Sequence, residues 1–436
     1  MKLTAFQSDK GDCLLMETAD GAHRMLIDGG MRDSYSAHVA PTLGKLREAG
    51  KKMDVVYISH IDQDHIAGVL RLLDDEVEWR IHEHLIANGN PGHRAPKSPR
   101  PPEIGQIWHN SFHEQVGKNA GPVEDMLAAT AEILSGANHP VLREIAQDRR
   151  DLATSIPEAM RVSSRIRHGQ LNIPLNPEFN GKLMLVQDGR SAIKLGSIKL
   201  NLIGPFEKDL KKLREEWNDW LRANRERVKQ IRQQARADED ALADSSLSQL
   251  FGPMESVAND LGASELALAK ILGNRKNVTT PNLASLMFMA LDEKHTVLLT
   301  GDGHWEDILA GLEHHGAFDS NNKLHVTVLK VQHHGSEHNI KRTFCDRVSA
   351  DNYVFCGNGE HENPDLDVIQ EIFDRRMVND TSRFKFWFNS SSAASTDEGG
   401  VEHMKAVERL TRKLINNSVG RLKANFLTVG SSVRIL

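Results

Sequence analysis

Ser59-His60-Ile61-Asp62-Gln63-Asp64-His65-Ile66-Ala67-Gly68 follows directly on the apolar run Val55-Val56-Tyr57-Ile58. β-Branched and aromatic residues leading into imidazoles and carboxylates read as a buried strand that ends in a metal site. In an extended segment alternate residues share a face, so His60, Asp62 and Asp64 can converge, and a helix starting there brings His65 round to the same spot. Imidazole nitrogen and carboxylate oxygen suit zinc, manganese or ferrous iron, and the lack of thiols argues against a closed structural zinc. A lone His at a strand end is ordinarily a polar residue near solvent. Two His and two Asp crowded together favour the metal reading.

This spacing resembles the His-x-His-x-Asp-His signature of the metallo-β-lactamase superfamily, with Asp62 in the place of the second His. The resemblance implies an α/β fold, a metallo-β-lactamase αββα sandwich, here with large helical insertions. Such folds carry an Asp-Gly at the end of an earlier strand, and Asp28-Gly29-Gly30 stands at that point. Alone it reads as a turn. By the resemblance, Asp28 orients the metal-binding loop through hydrogen bonds and the glycines let the backbone pass close.

At 436 residues the chain has room for two or three average domains, or for one α/β domain with insertions. Its 39% hydrophobic and 26% charged residues are those of a soluble globular protein. A net charge of -6 exerts no global pull toward nucleic acid or anionic membrane, although a local basic face is compatible with it. Cys13, Cys345 and Cys356 show no zinc-knuckle or redox spacing, and an odd count makes a poor disulfide framework. A reduced, cytoplasmic setting is the simplest reading. The N-terminus turns polar at Gln7-Ser8-Asp9 before an apolar core of signal length develops, and no stretch approaches a membrane span.

In chain order, residues 2–6, 13–17 and 24–27 read as a β-meander, with turns at Lys10-Gly11-Asp12 and Ala19-Asp20-Gly21. Helices are expected over 43–49 and 66–73, the second ending at Asp74-Asp75. The stretch 88–102, with His93, Arg94, Lys97 and Arg100, reads as a solvated loop or, alternatively, as a substrate-contacting loop beside the site. A strand over 104–108 runs into His109, which like His113 is taken as a surface residue or a support for a ligand. Residues 121–190 read as mostly helical, with helices over 126–134, 141–148 and 157–166. A strand over 192–203 closes at Gly204-Pro205. Many superfamily members have a metal-binding His near the end of that strand, and none is found here.

From 206 to 250 the chain is charged, with Leu210, Leu213, Trp217, Trp220 and Leu221 at helical spacing; Arg222, Arg225, Arg227, Lys229, Arg232 and Arg236 follow, opposed by Glu226. A solvated face is the plain reading, and a basic helix tracking a phosphate backbone is the functional one. A further helical stretch runs to about Leu272. Leu298-Leu299-Thr300-Gly301-Asp302 then presents a carboxylate after a strand, and Val326 to Val331 runs into Gln332-His333-His334-Gly335-Ser336. With Asn282-x-x-Ser285-Leu286, these segments resemble the metallo-hydrolase domain of bacterial competence DNA-uptake channels. Residues 353–359, 384–388 and 426–429 read as strands, and 365–375 and 401–415 as helices. The resulting organisation is residues 1–120 as the first half of the core, 121–190 as a helical insertion and 191–206 as a core strand. A charged helical insertion over 207–278 and the second half of the core over 279–436 complete it.

By the resemblance, Asp64, His65, Asp302 and His333 hold one metal, and His60, Asp62 and Asp302 another. Asp302 reaches both, and one of His333 and His334 is the ligand, His333 being favoured. Zinc (Zn), one ion or two, is the expected cofactor, with manganese as the alternative. A metal lowers the pKa of bound water to about 7 and so makes a nucleophile at neutral pH. Asp64, Asp302 and His334 are the expected catalytic residues, and Ser336, His361 and Asn363 face the substrate. The relatives have a His-Pro pair where this chain has Asn363-Pro364. The expected function is a metal-dependent hydrolase, a phosphodiesterase or nuclease, with nucleic acid or another phosphodiester as partner and no membrane. A small-molecule esterase or lactonase, and a non-catalytic metal-binding partner subunit, are the competing readings; no motif names a protein partner.

Overall fold

The computed structural model describes residues 1–89, 92–110, 158, 161–163, 165–166, 170–208 and 285–436. The helices expected over 126–134 and 141–148, most of that over 157–166, the basic stretch 222–236, the continuation to 272 and Asn282 lie outside them.

Strands β1 (Lys2–Phe6), β2 (Leu14–Glu17), β3 (Arg24–Ile27), β4 (Met53–Tyr57) and β5 (Ile104–Trp108) build one sheet, to whose β1 edge β14 (Ser432–Arg434) is added. Strands β6 (Ile193–Leu195), β7 (Ile198–Gly204), β8 (Met287–Leu291), β9 (Thr296–Leu299), β10 (Leu324–Lys330), β11 (Val348–Phe355), β12 (Phe384–Phe388) and β13 (Leu422–Phe426) follow one another in a second sheet. The meander β1-β2-β3 is antiparallel, whereas β3, β4 and β5 run parallel, as do β9 through β13.

The layers follow from the two-residue period of the strands. Val55 and Tyr57 face the apolar layer between the sheets, where Leu3, Leu14, Met25, Trp108, Phe288 and Val328 also lie. Val56 and Ile58 point the other way, to α1 (Ala40–Glu48) and α2 (Gln63–Ala87), which bury Leu43, Ile66, Val69, Leu70 and Leu73 against them. The outer face of the second sheet is covered by α3 (Trp305–His314), α4 (Arg342–Arg347), α5 (Leu366–Asn379) and α6 (Glu398–Asn417) through Ile308, Phe344, Ile369 and Met404. Helix, sheet, sheet, helix is the αββα order that the resemblance implied. Tyr57 crosses between the sheets, its ring edge-on to Phe288 at 5.2 Å and its hydroxyl donating to the Leu286 carbonyl.

Several expected boundaries move. The strand expected over 192–203 is the hairpin β6–β7, because Gly196 (φ 56°) takes the left-handed conformation a tight turn requires. Helix α2 continues well past Asp74-Asp75. Neither acid ends it, because Arg165 lies 2.9 Å from Asp74 and Arg71 lies 2.6 Å from Asp75. The strand expected at 426–429 is replaced by β13 and β14 on either side of a turn at Gly430 (φ 95°). No described helix is long and apolar enough to cross a membrane.

Candidate metal centre

The C-terminal ends of the parallel strands meet the β1–β2 turn at one end of the sandwich. Asp28 follows β3, and Ser59 and His60 follow β4. Asp62, Asp64 and His65 occupy the N-cap and first turn of α2. Asp302 follows β9, and Lys330 ends β10 ahead of a short turn that carries His333 and His334. Gly11 brings the β1–β2 turn in, and a Cβ there would stand 1.7 Å from the Asp64 carbonyl oxygen. This close approach places Asp12 inside the site, 1% exposed.

The imidazoles are oriented from behind. His65 Nδ1 lies 2.9 Å from Asp28 Oδ2, an acceptor, so Nδ1 carries the hydrogen and Nε2 faces inward. Asp28 also accepts from the Ser59 backbone N–H at 2.7 Å and the Ser59 hydroxyl at 2.8 Å. His334 Nδ1 donates to the Cys356 carbonyl at 2.7 Å, which aims its Nε2 at the same point. There Nε2 of His334 lies 3.4 Å from Nε2 of His65, 3.0 Å from Asp64 Oδ2 and 3.5 Å from Asp302 Oδ2. His65 Nε2 is 3.4 Å from Asp302 Oδ1 and 3.9 Å from Asp64 Oδ1. Four donors about 2.1 Å from a shared ion, tetrahedrally placed, stand about 3.4 Å apart. The separations from the two imidazoles to each other and to one oxygen or the other of each carboxylate, 3.0–3.9 Å, lie around that value.

Beside this set, His60 Nε2 lies 3.4 Å from Asp62 Oδ2 and 3.5 Å from Asp302 Oδ2, with its Nδ1 3.0 Å from the Ser59 hydroxyl. His60 Nε2 and Asp302 Oδ1 are buried without a hydrogen-bond partner among the described residues. Electron-pair donors facing one another out of water require a positive charge among them. Protons on the imidazoles are one source. Burial opposes that charge, yet the carboxylates of Asp302, Asp64, Asp28 and Asp12 raise His65 well above its ordinary value, and the carboxylates around His334 take it to about 10. Burial alone would raise Asp64 and Asp302; His65 and His334 hold both below the usual carboxylate range. A divalent ion in place of those protons is the other source, and the donor set fits one.

Two further groups adjust the charge. The Lys330 ammonium, 2% exposed, pairs with Asp12, donates to the Gly301 carbonyl at 3.0 Å and lies 3.6 Å from Asp302 Oδ1. Asp12, His65, Asp302 and His334 each bring a ligand-type atom within 4.8 Å of the others. Neither Asp12 nor Lys330 was singled out from the sequence; the signal for Asp12 was a Gly-Asp pair in a turn, as at Gly301-Asp302.

Of the residues expected to bind metal, His60, Asp62, Asp64, His65 and Asp302 come together. His334, expected to be catalytic, stands inside the four-donor set. His333 stands at its edge, Nε2 3.8 Å from Asp302 and the side chain 24% exposed. Asn339 fixes that ring: its amide nitrogen donates to the Asp302 carbonyl at 2.8 Å, so its oxygen accepts from His333 Nδ1 at 2.7 Å. Burial lowers the His333 pKa, leaving a neutral ring with its Nε2 electron pair available. Ser336 is buried close by, its hydroxyl 3.4 Å from the His338 N–H. His361 is half-exposed at 3.6 Å from Glu360, and the Asn363 carbonyl accepts from Gly359 N–H at 3.0 Å; neither side chain is brought to the donors by a described contact.

Two placements are corrected. The loop 92–102 is fastened along α2 far from its metal-binding end, with Trp79 donating to the Ser98 carbonyl at 3.0 Å, His82 3.0 Å from His93 and Arg100 paired with Glu83. Eighteen residues separate Asp64 from His82, about 27 Å of helix, so the reading as a loop beside the site fails. His109 is not a surface residue: it is wholly buried, and burial beside His60 pushes its pKa down to about 3.

The family described as the metallo-beta-lactamase superfamily matches residues 9–130, which contain the motif, Asp12 and Asp28. No curated protein matches the chain.

Proposed function

We propose that this chain, which carries a metallo-β-lactamase superfamily domain, is a metal-dependent hydrolase of phosphodiesters. The observation that carries the hydrolase reading is the inward-facing set of His65, His334, Asp64 and Asp302 with His60 and Asp62 beside it. When bound there, a divalent ion supplies an activated water at neutral pH and polarises the substrate oxygen.

The residues of the chain do the rest. Asp28 and the Cys356 carbonyl hold the rings of His65 and His334 in the tautomer that turns Nε2 inward. Asp302 stands between the two donor sets, one oxygen toward His65 and the other toward His60 and His334. His333, neutral and partly open to solvent, has a free electron pair to take a proton as the attacking water loses it. Lys330, buried against Asp12 and Asp302, offsets part of the carboxylate charge. The phosphodiester preference is supported by the resemblance of Leu329 to Ser336 to a DNA-uptake hydrolase domain and by the arginine-rich stretch 222–236, whose cations suit a phosphate backbone.

The test is hydrolysis of a chromogenic phosphodiester and of linear DNA with zinc or manganese, set beside a lactone and a carboxylic ester. Wild type should cleave the phosphodiesters, and Asp64→Ala and His334→Ala should not. Turnover of the lactone or ester alone would replace the substrate class. Metal uptake without turnover of any of them would replace the enzyme by a metal-binding scaffold.

A further inference from the structure

Asn389, the first residue after β12, is 1% exposed and uses its whole side chain to tie other elements together. β12 runs parallel to β11, Phe355 pairs with Phe388, and the Asn389 N–H donates to the Phe355 carbonyl at 3.1 Å, so the residue stands at the end of the second sheet that carries the donors. A carboxamide has one acceptor oxygen and two amide hydrogens. Its oxygen accepts from the Gly357 N–H at 2.9 Å, and its nitrogen donates to the Ser8 hydroxyl at 2.8 Å and the Phe6 carbonyl at 3.1 Å. Truncation would leave the buried Gly357 N–H without its acceptor.

Both arms of that carboxamide lead to His334. The N–H whose hydrogen it accepts belongs to the peptide whose carbonyl, that of Cys356, accepts from His334 Nδ1 at 2.7 Å. Hydrogen bonds at the two ends of one peptide polarise each other, so the Gly357 contact strengthens that carbonyl as an acceptor and fixes its direction. On the other arm, the Ser8 hydroxyl passes its own hydrogen to the Gly11 carbonyl at 2.6 Å, in the turn that carries Asp12. Asp12 Oδ1 lies 3.2 Å from the same His334 Nδ1. One side chain from β12 thus joins the β1–β2 turn of the first sheet to the end of β11 in the second, and the two groups that face His334 Nδ1 depend on it. His65 is held separately, by Asp28 at 2.9 Å.

We propose that Asn389 is a positioning residue of the metal centre: it holds the Cys356 carbonyl and the Asp12 turn in one arrangement about His334 Nδ1 and so keeps Nε2 of that ring turned to the ion. The proposal rests on the metal-centre reading. It adds a support that acts through a peptide group and touches no donor. Because the support leads to His334 and Asp28 holds His65, loss of Asn389 should disturb one ring and spare the other.

The experiment loads the full chain with zinc, reads the histidine rings by long-range proton–nitrogen spectra, and measures zinc affinity by competition with a chromophoric chelator. In wild type the His334 Nδ1 hydrogen should exchange slowly with water. Asn389→Ala should speed that exchange and lower zinc affinity about 10- to 100-fold, while the His65 Nδ1 signal stays in place. Ser390→Ala is the control: Ser390 is as buried as its neighbour, its hydroxyl has no hydrogen-bond partner among the described residues, and its loss should leave zinc affinity at the wild-type value. An unmoved His334 signal with unchanged affinity in Asn389→Ala overturns the proposal. So does an equal loss of affinity in Ser390→Ala, which would make the effect a loosening of the loop. Should Asn389→Ala not fold, Ser8→Ala decides: it keeps Cβ, removes the link to Gly11, and should move the His334 signal with a smaller loss of affinity; a signal that does not move overturns the proposal. A wild type that takes up no zinc overturns the metal-centre reading itself, whereas zinc uptake with His334 indifferent to both substitutions overturns this inference alone.

Discussion

Asp28 meets the donors through its hydrogen bonds to His65 and Ser59, and it decides which nitrogen of His65 faces the centre. Replacing it with Asn keeps the shape and removes the charge that holds the ring. Zinc affinity should fall about 10- to 100-fold, measured by competition with a chromophoric chelator; an unchanged affinity would show that the ring is held by packing alone. The same imidazoles impose a pH dependence. In the metal-free protein His334 titrates near 10 against an ordinary 6.5, so its charged form stabilises the fold fully below pH 6.5, and that contribution is lost as the pH rises to about 10. Within this window zinc must displace the proton. Apparent affinity should therefore climb about tenfold per pH unit for each proton released, and a flat profile from pH 7 to 8 would mean that His334 is already neutral. Lys330 and Asp12 form a buried ion pair whose rupture leaves an uncompensated carboxylate. Lys330→Met should cost about 3–5 kcal/mol in denaturant unfolding, more than a surface lysine could.

At the scale of elements, the site depends on how closely α2 approaches the end of β3. Gly29 N–H donates to the His65 carbonyl at 2.8 Å and Gly68 N–H to the Gly30 carbonyl at 2.9 Å. A Cβ on Gly68 would stand 2.0 Å from the Gly29 carbonyl oxygen, backbone that has no rotamer to give. Gly68→Ala should therefore destabilise by about 1–3 kcal/mol despite its better helix propensity, and should weaken zinc binding by pushing α2 outward. A stability gain would show that the two segments can separate. These contacts also explain what could be read from the sequence. The strand before His60 and the fan of Asp62, Asp64 and His65 were legible because a continuous apolar run, buried on both faces, and a helical first turn are local. The inner placement of His334 rather than His333 was not. It depends on a turn in which both residues take positive φ, 46° and 53°, and on the Cys356 carbonyl from β11. Asp12 was missed for a related reason: it arrives through a glycine packed on Asp64, a contact that has no sequence period.

Over the whole molecule, the candidate centre lies where the two sheets meet. Asp28, His60, Asp62, Asp64 and His65 follow strands of the first sheet; Asp302 and His334 follow strands of the second. The sheets are otherwise joined by the apolar layer around Tyr57, Trp108 and Phe288, so an ion among these donors ties together halves far apart in sequence. An ion that binds the folded chain and not the unfolded one adds RT ln(1 + [L]/Kd), roughly 4 kcal/mol at a thousandfold excess over Kd. Thermal unfolding of the chelator-stripped protein should therefore rise with added zinc, and the rise should keep growing with the logarithm of zinc concentration beyond saturation. Asp64→Ala should lose most of that increment, having lost a donor to the four-atom set. Gly68→Ala should start lower and regain less, since its defect lies in the approach of α2 and not in a ligand. If zinc raised Asp64→Ala and wild type equally, the stabilising ion would have to sit elsewhere, and the convergence of the two sheets on this point would need a reason other than metal.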